Sequence, residues 1–412
     1  MSTPSGYLQF IKENLSFLAA GFLLSFISGL GQTYFISIFG AEIRDEFGLT
    51  NGDWGLIYMV STGLSAIVMV YAGTLADTYR IRSLSILVMG LLVIGCLSLA
   101  TATTLPMLAG IIFLLRFAGQ GMAAHMAIVA MSRWFTATRG RAIAIASLGF
   151  MFGEATMPIT LVWLKSFVDW RTLWISFAWF TVFLIPIVWW LLSKERTPSA
   201  VANETEAFGL EGHHWTRKDA ISDKLFWLMV PGVALFPAFG TAFWFHQAHF
   251  AEIKGWTHLE LVSVFPLGTI ALAISTVFYG WLIDRVGAIR LLPFFLAPLV
   301  IAFTFHWAAA SVAITAIAVI LMGIAGGGQA TVLAACWSEF YGTRYIGSIK
   351  AAAAAVMVAG SAVGPGLTGF LIDAGISFET QQLGVALLFL ITCFIMILPR
   401  NLALASAAKV HV

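Results

Sequence analysis

Residues 116–125 read Arg116-Phe-Ala-Gly119-Gln-Gly121-Met-Ala-Ala-His125, and residues 153–158 read Gly153-Glu154-Ala-Thr-Met-Pro158. Both stretches lie inside long apolar segments, and both have a copy later in the chain. Adding 207 carries Gly119 to Gly326, Gly121 to Gly328, Gly153 to Gly360 and Pro158 to Pro365. The same shift turns Arg116 into Gly323, His125 into Val332 and Glu154 into Ser361. The copy keeps the glycines and the proline and drops the three ionisable groups. A charge in hydrocarbon is costly, and a chain that keeps one there generally uses it.

The setting is a membrane. Of the 412 residues 60% are apolar and only 10% charged, against about a quarter charged in a soluble domain, and the mean hydropathy is +0.92. At roughly 20 apolar residues per span, the sequence predicts an all-α integral membrane protein with twelve transmembrane helices. They fall near 15–40, 53–76, 83–104, 106–132, 140–165, 171–193, 225–250, 259–283, 289–308, 312–338, 346–373 and 380–398. The first segment is longer than a signal-peptide core and has no small-residue cleavage site, so it reads as the first span. A net charge of +2 without basic runs argues against nucleic acid. Cys96, Cys336 and Cys393 lie singly in apolar segments and read as packing residues.

The one long polar stretch, with Glu204, Glu206, Glu211, His213, His214, Arg217 and Lys218, divides the chain into a six-helix half at 1–193, a linker at 194–224 and a second half at 225–412. Most of the 22 lysines and arginines fall on the side of the termini and linker. Arg44, Lys165, Arg171 and Lys254 fall on the other, and Arg116 lies between. By the positive-inside rule both termini are cytoplasmic in a multi-pass protein of the cell membrane. Trp54, Trp134, Trp170, Trp189, Trp190, Trp256, Trp307 and Trp337 sit near span ends, where an interfacial belt places them.

The 207-residue shift also relates Gly73 to Gly280, Leu75 to Leu282 and Asp77 to Asp284. It carries Thr50 and Asp53 onto Thr257 and Glu260, two capping boxes that open spans two and eight. Pseudo-symmetric six-helix halves are a transporter architecture with the substrate near the midplane.

Gly73-Thr-Leu-Ala-Asp77, followed by Arg80 and Arg82, resembles the signature loop of the major facilitator superfamily, and Gly280-Trp-Leu-Ile-Asp284-Arg285-Val-Gly287 matches that pattern more fully. Arg116 to Gly121, and Gly149 with Gly153 and Pro158, resemble the family's next two motifs. Within the family, Trp134-Phe135, Arg139-Gly140-Arg141-Ala142, Glu339-Phe-Tyr-Gly342 and Gly347-Ser-Ile are most similar to the monocarboxylate and oxalate/formate group. The resemblance implies that Gly73, Asp77, Arg80, Gly280, Asp284 and Arg285 form a gating motif. Members of that group hold carboxylates with a cation in span eight. This chain has none there before Arg285, which disfavours a dicarboxylate.

Arg116 and Glu154 are expected at comparable depth, roughly 15 Å and 21 Å from opposite span ends at 1.5 Å per residue. Arg116 either meets an anionic substrate or bonds backbone carbonyls of span five and braces the fourth and fifth spans. Burial favours the protonated glutamate and an adjacent arginine the ionised one, the opposition a proton-coupled carrier needs. His125 titrates in the useful range and is the second proton candidate, or a packing group. Gln32, Tyr34, His246, Gln247 and Gln329 are candidate substrate contacts, with His246, Gln247 and His249 either lining an outer mouth or lying at the wet interface. His213 and His214 lack a third ligand, so neither a metal nor a cofactor is expected.

The expected function is a symporter: a secondary transporter moving a small organic anion, a monocarboxylate, with H+ by alternating access, as a monomer in the lipid bilayer. The alternative is a proton-driven multidrug or lipophilic-compound exporter in which Glu154 binds the substrate. No HExxH, phosphate loop or nucleophile constellation points to an enzyme.

Overall fold

The computed structural model describes residues 4–135, 138–193 and 209–410, so the linker residues 194–208 lie outside the described residues. Among the described residues every regular element is a helix. Ten are long and apolar enough to cross a membrane, and the bent pair Leu15–Gly31 and Thr33–Phe47 adds an eleventh. In chain order the transmembrane elements are α1 (Leu15–Gly31 with Thr33–Phe47), α2 (Asn51–Ala72), α3 (Ile81–Ala100), α4 (Leu105–Trp134), α5 (Arg139–Lys165) and α6 (Trp170–Leu191). Then come α7 (Lys224–Phe245), α8 (His258–Val286), α10 (Val312–Tyr341), α11 (Ile346–Asp373) and α12 (Phe378–Ile395), with the apolar helix α9 (Ala297–Ala308), too short to be counted among the eleven, between α8 and α10.

Two of the expected spans differ. The first is not one straight helix but turns by 51° at Gln32. The ninth keeps only 12 helical residues, because Pro293 and Pro298 lack the amide a continuing helix needs and the chain between them runs as turns.

The chain clusters into two compact units, residues 1–49 with 60–203, and residues 50–59 with 204–412. In the first, α1 packs along α5 and α3 along α6. Gly149 makes the α1–α5 contact possible, because a methyl group there would lie 2.0 Å from the Phe22 carbonyl oxygen. Ion pairs Lys165–Glu42 and Arg171–Glu46 tie the end of this unit remote from the linker, and Arg171 also donates to the Ala100 and Ala102 carbonyls.

In the second unit α7 packs along α11 and α8 along α10. A methyl group on Gly360 would lie 2.5 Å from the Ala234 carbonyl oxygen. Pro237, inside α7, cannot donate to the Val233 carbonyl one turn back, and Gln329 of α10 donates to that oxygen instead at 3.2 Å. The capping box at Thr257 and Glu260 opens α8 as expected. So does the reciprocal pair Thr50 and Asp53 at α2, whose first turns cluster with this unit. There the Gly52 amide donates to Asp373 Oδ2 at 2.7 Å. Trp54 stacks on Phe245, centroids 5.4 Å apart, and is only 2% exposed. Trp54, Trp134, Trp170 and Trp337 are buried rather than exposed at a rim; Trp134 packs on Phe17 and Trp337 on Phe226. Trp189, Trp190 and Trp307 are exposed as a belt requires.

Candidate functional site

Span one breaks where the sequence carries Gly29, Gly31 and Gln32. Ser28–Gly31 tightens to a 3₁₀ turn and Gln32 is extended, with ψ 155°. The Phe35 amide bonds to the Gln32 oxygen, so the Gly31 carbonyl is left without its helical donor. Facing it, Arg116–Ala123 of α4 is π-helical, a local widening common at functional sites. The two irregular segments touch through glycine: a methyl group on Gly31 would lie 2.1 Å from the Leu115 carbonyl oxygen, and one on Gly119 would lie 2.6 Å from the Gly31 backbone.

Arg116 closes this arrangement. The residue is 1% exposed. Nη1 donates to the Gly31 carbonyl at 3.0 Å and to Thr33 Oγ1 at 3.4 Å, and Nε donates to Thr62 Oγ1 at 3.1 Å. A break in a membrane helix is tolerated where its freed backbone groups find partners, and the arginine is that partner. It braces α1 and α2, two neighbours that its sequence position alone does not reveal.

Tyr34, two residues past the break, is 4% exposed. Its hydroxyl has no hydrogen-bond partner among the described residues, and it fills the space left by Gly29 and Gly153. Glu154 is half-buried, and its neighbour Gly153 faces that hydroxyl. The structure therefore brings Gln32, Tyr34 and Arg116 together at the break, with Glu154 on the stretch of α5 that faces the Tyr34 hydroxyl. His125 is elsewhere, with Nε2 against Gly73.

The remaining candidates lie in the second unit. His246 is not in the span but caps the end of α7, where its Nε2 pairs with the Pro365 carbonyl at 3.0 Å. Gln247 is buried. Gln329 is committed through Nε2 to the Val233 carbonyl. His306, a histidine the sequence reading passes over, is fully buried and stacks on Phe243 at 4.1 Å with the rings 7° from parallel. Among the described residues no cluster of histidine, cysteine, aspartate or glutamate could hold a metal ion.

The family model described as Major Facilitator Superfamily matches residues 21–365. The chain belongs to the major facilitator superfamily. No curated protein sequence matches it significantly. Among solved structures, the fold is similar to a bacterial homologue of the human lysosomal transporter Spinster in an inward-facing, unoccupied conformation. That match has TM-score 0.70 and 17% identity, covering 98% of this chain and 99% of the other. It is also similar to the nucleoside transporter NupG, with TM-score 0.69 and 13% identity over 95% and 98% of the two chains. The protein is a membrane transporter and not an enzyme.

The loops after spans two and eight carry the Gly73 to Asp77 and Gly280 to Asp284 pattern. The Asp77 side chain lies outside the described residues. Asp284, Arg80 and Arg285 are exposed, and Arg285 lies over the Trp281 ring at 4.4 Å. The ordered contacts come from the ends of α4 and α10 instead. Arg133 donates to the Ala76 carbonyl in the first loop, and Glu339 accepts from the Ala288 amide in the second at 3.2 Å. Opposite charges at nearly equivalent positions thus hold opposite poles of the two loops.

Proposed function

We propose that this major facilitator carries a small organic anion, a monocarboxylate, across the cell membrane together with a proton, by alternating access of the halves 1–193 and 225–412 about a cytoplasmic linker at 194–224. The observation that carries the reading is Arg116, a permanent cation buried to 1% exposure at the level of a broken helix. Discontinuous helices at this depth form the substrate sites of secondary transporters. Glu154 supplies the proton site and Tyr34 a neutral donor beside it. Thr33 and Gln32, on the same break, complete a lopsided site with its charge in the N-terminal half. The termini are cytoplasmic and the carrier is a monomer in this reading.

A second reading, a proton-driven exporter of lipophilic or cationic compounds with Glu154 as the binding carboxylate, is favoured by one observation. Arg116 engages the Gly31 carbonyl, Thr33 and Thr62 as a brace would. A charge-series uptake panel in proteoliposomes separates the two. Anions that compete in wild type and not in Arg116→Ala support the first reading, whereas cation competition abolished by Glu154→Gln supports the second.

A further inference from the structure

An apolar crevice of about 170 Å³ lies in the first unit between α1, α5 and α6, lined by Phe26, Thr156, Met157, Thr160, Leu161, Phe177 and Phe180. Phe26 and Phe180, in edge-to-face contact with centroids 6.3 Å apart, close one side of it. Two of its lining side chains also border the Tyr34 hydroxyl. A methyl group on Gly29 would meet that hydroxyl at 2.6 Å and Met157 Sδ at 3.2 Å; one on Gly153 would meet the hydroxyl at 3.0 Å and the Phe26 ring at 3.5 Å. An apolar slot therefore adjoins a buried hydroxyl with no partner, and a polar group in that position normally has one.

We propose that the crevice receives the apolar group of the substrate, one phenyl ring or an alkyl tail of similar bulk, while the Tyr34 hydroxyl donates to the substrate carboxylate. Size sets the first half of the assignment: the crevice, open where Thr160 and Phe180 are exposed, has room of the order that one benzene takes in an apolar cavity, about 150 Å³. Chemistry sets the second. The phenol is a donor, Thr33 on the same turn accepts from Arg116, and the lining of the slot itself carries no charged side chain. Met157, flexible and unbranched, is the side chain that gives way to connect slot and hydroxyl. The inference rests on the monocarboxylate reading and narrows it from any short carboxylate to an aryl- or alkyl-bearing one.

The test is uptake of labelled 3-phenylpropionate by the purified protein in liposomes under a proton gradient, with acetate, hexanoate and phenylacetate as competitors. Burying one ring is expected to make acetate about ten- to a hundred-fold weaker than phenylacetate. Thr160→Trp, which fills the slot, should remove that preference, and Phe180→Ala, which widens it, should shift the preferred tail to a longer one. If labelled acetate and 3-phenylpropionate are both carried and compete equally, and neither variant alters their ratio, the crevice holds bilayer lipid and this inference falls while the monocarboxylate reading stands. If no carboxylate of any tail length is carried, both fall.

Discussion

The Arg116 guanidinium donates to the Gly31 carbonyl at 3.0 Å, across 85 residues of sequence. This one bond joins the break in α1 to the π-helical stretch of α4. Removing it strands a carbonyl at a depth where no water replaces the donor. Arg116→Ala should cost about 1–3 kcal/mol for each group left unsatisfied, seen as a lower melting temperature in detergent. Arg116→Lys should recover only part of this, because a point charge cannot span Gly31 and Thr62 together. Protection by bound substrate, measured in the same melts, should vanish in both variants if the arginine also binds the anion.

The helix contacts made by glycine predict a graded series. Gly149→Ala and Gly360→Ala place a methyl group 2.0 Å and 2.5 Å from backbone carbonyls of the facing helix, and backbone cannot swing aside. Each should cost at least about 1–3 kcal/mol and lower the yield of monodisperse protein on size-exclusion chromatography. Gly110→Ala meets nothing within 4 Å and should be neutral.

Glu154→Gln keeps the shape of the half-buried side chain beside Tyr34 and removes its titration. Accumulation driven by a pH gradient should disappear in proteoliposomes, while exchange between equal pH on both sides continues. A variant that still accumulates substrate against a gradient would assign the proton to another group.

Outside the membrane, Asp219 caps the short helix Arg217–Ser222. The Thr216 hydroxyl, and next the Thr216 amide, hold its carboxyl below its ordinary value of 3.8. A carboxyl lowered by folding stabilises the folded form above the ordinary value and loses that contribution as pH falls through the lowered one. The helix should therefore loosen only below pH 3.8, and Thr216→Val should move the Asp219 titration upward in a carboxyl NMR experiment.

The spans, the repeat and the capping boxes at Thr50 and Thr257 were legible because each is written in neighbouring residues: apolar runs, a constant shift, a hydroxyl three positions before a carboxylate. The break in span one was not, since hydropathy measures how much a segment likes lipid and ignores whether its backbone is helical. Gly29, Gly31 and Gln32 marked the place without announcing it. Thr62 was invisible as a partner of Arg116 because it lies 54 positions away and no local signal marks the contact. Trp54 looked interfacial from its place in the chain, yet Phe245 covers it. His125 shares the apolar setting of Arg116 and Glu154 in the sequence, whereas the fold turns its Nε2 toward Gly73.

The sequence by itself determined that this chain is a two-fold-repeated bundle of membrane helices with its buried charges in one copy, because hydrophobic length and internal duplication are properties of the chain alone. Only the tertiary structure decided what those charges touch. A guanidinium at membrane depth must find oxygen atoms, and which oxygens lie within 3 Å is set by a helix break, a π-helical turn and two facing glycines whose meeting no local stretch of sequence records.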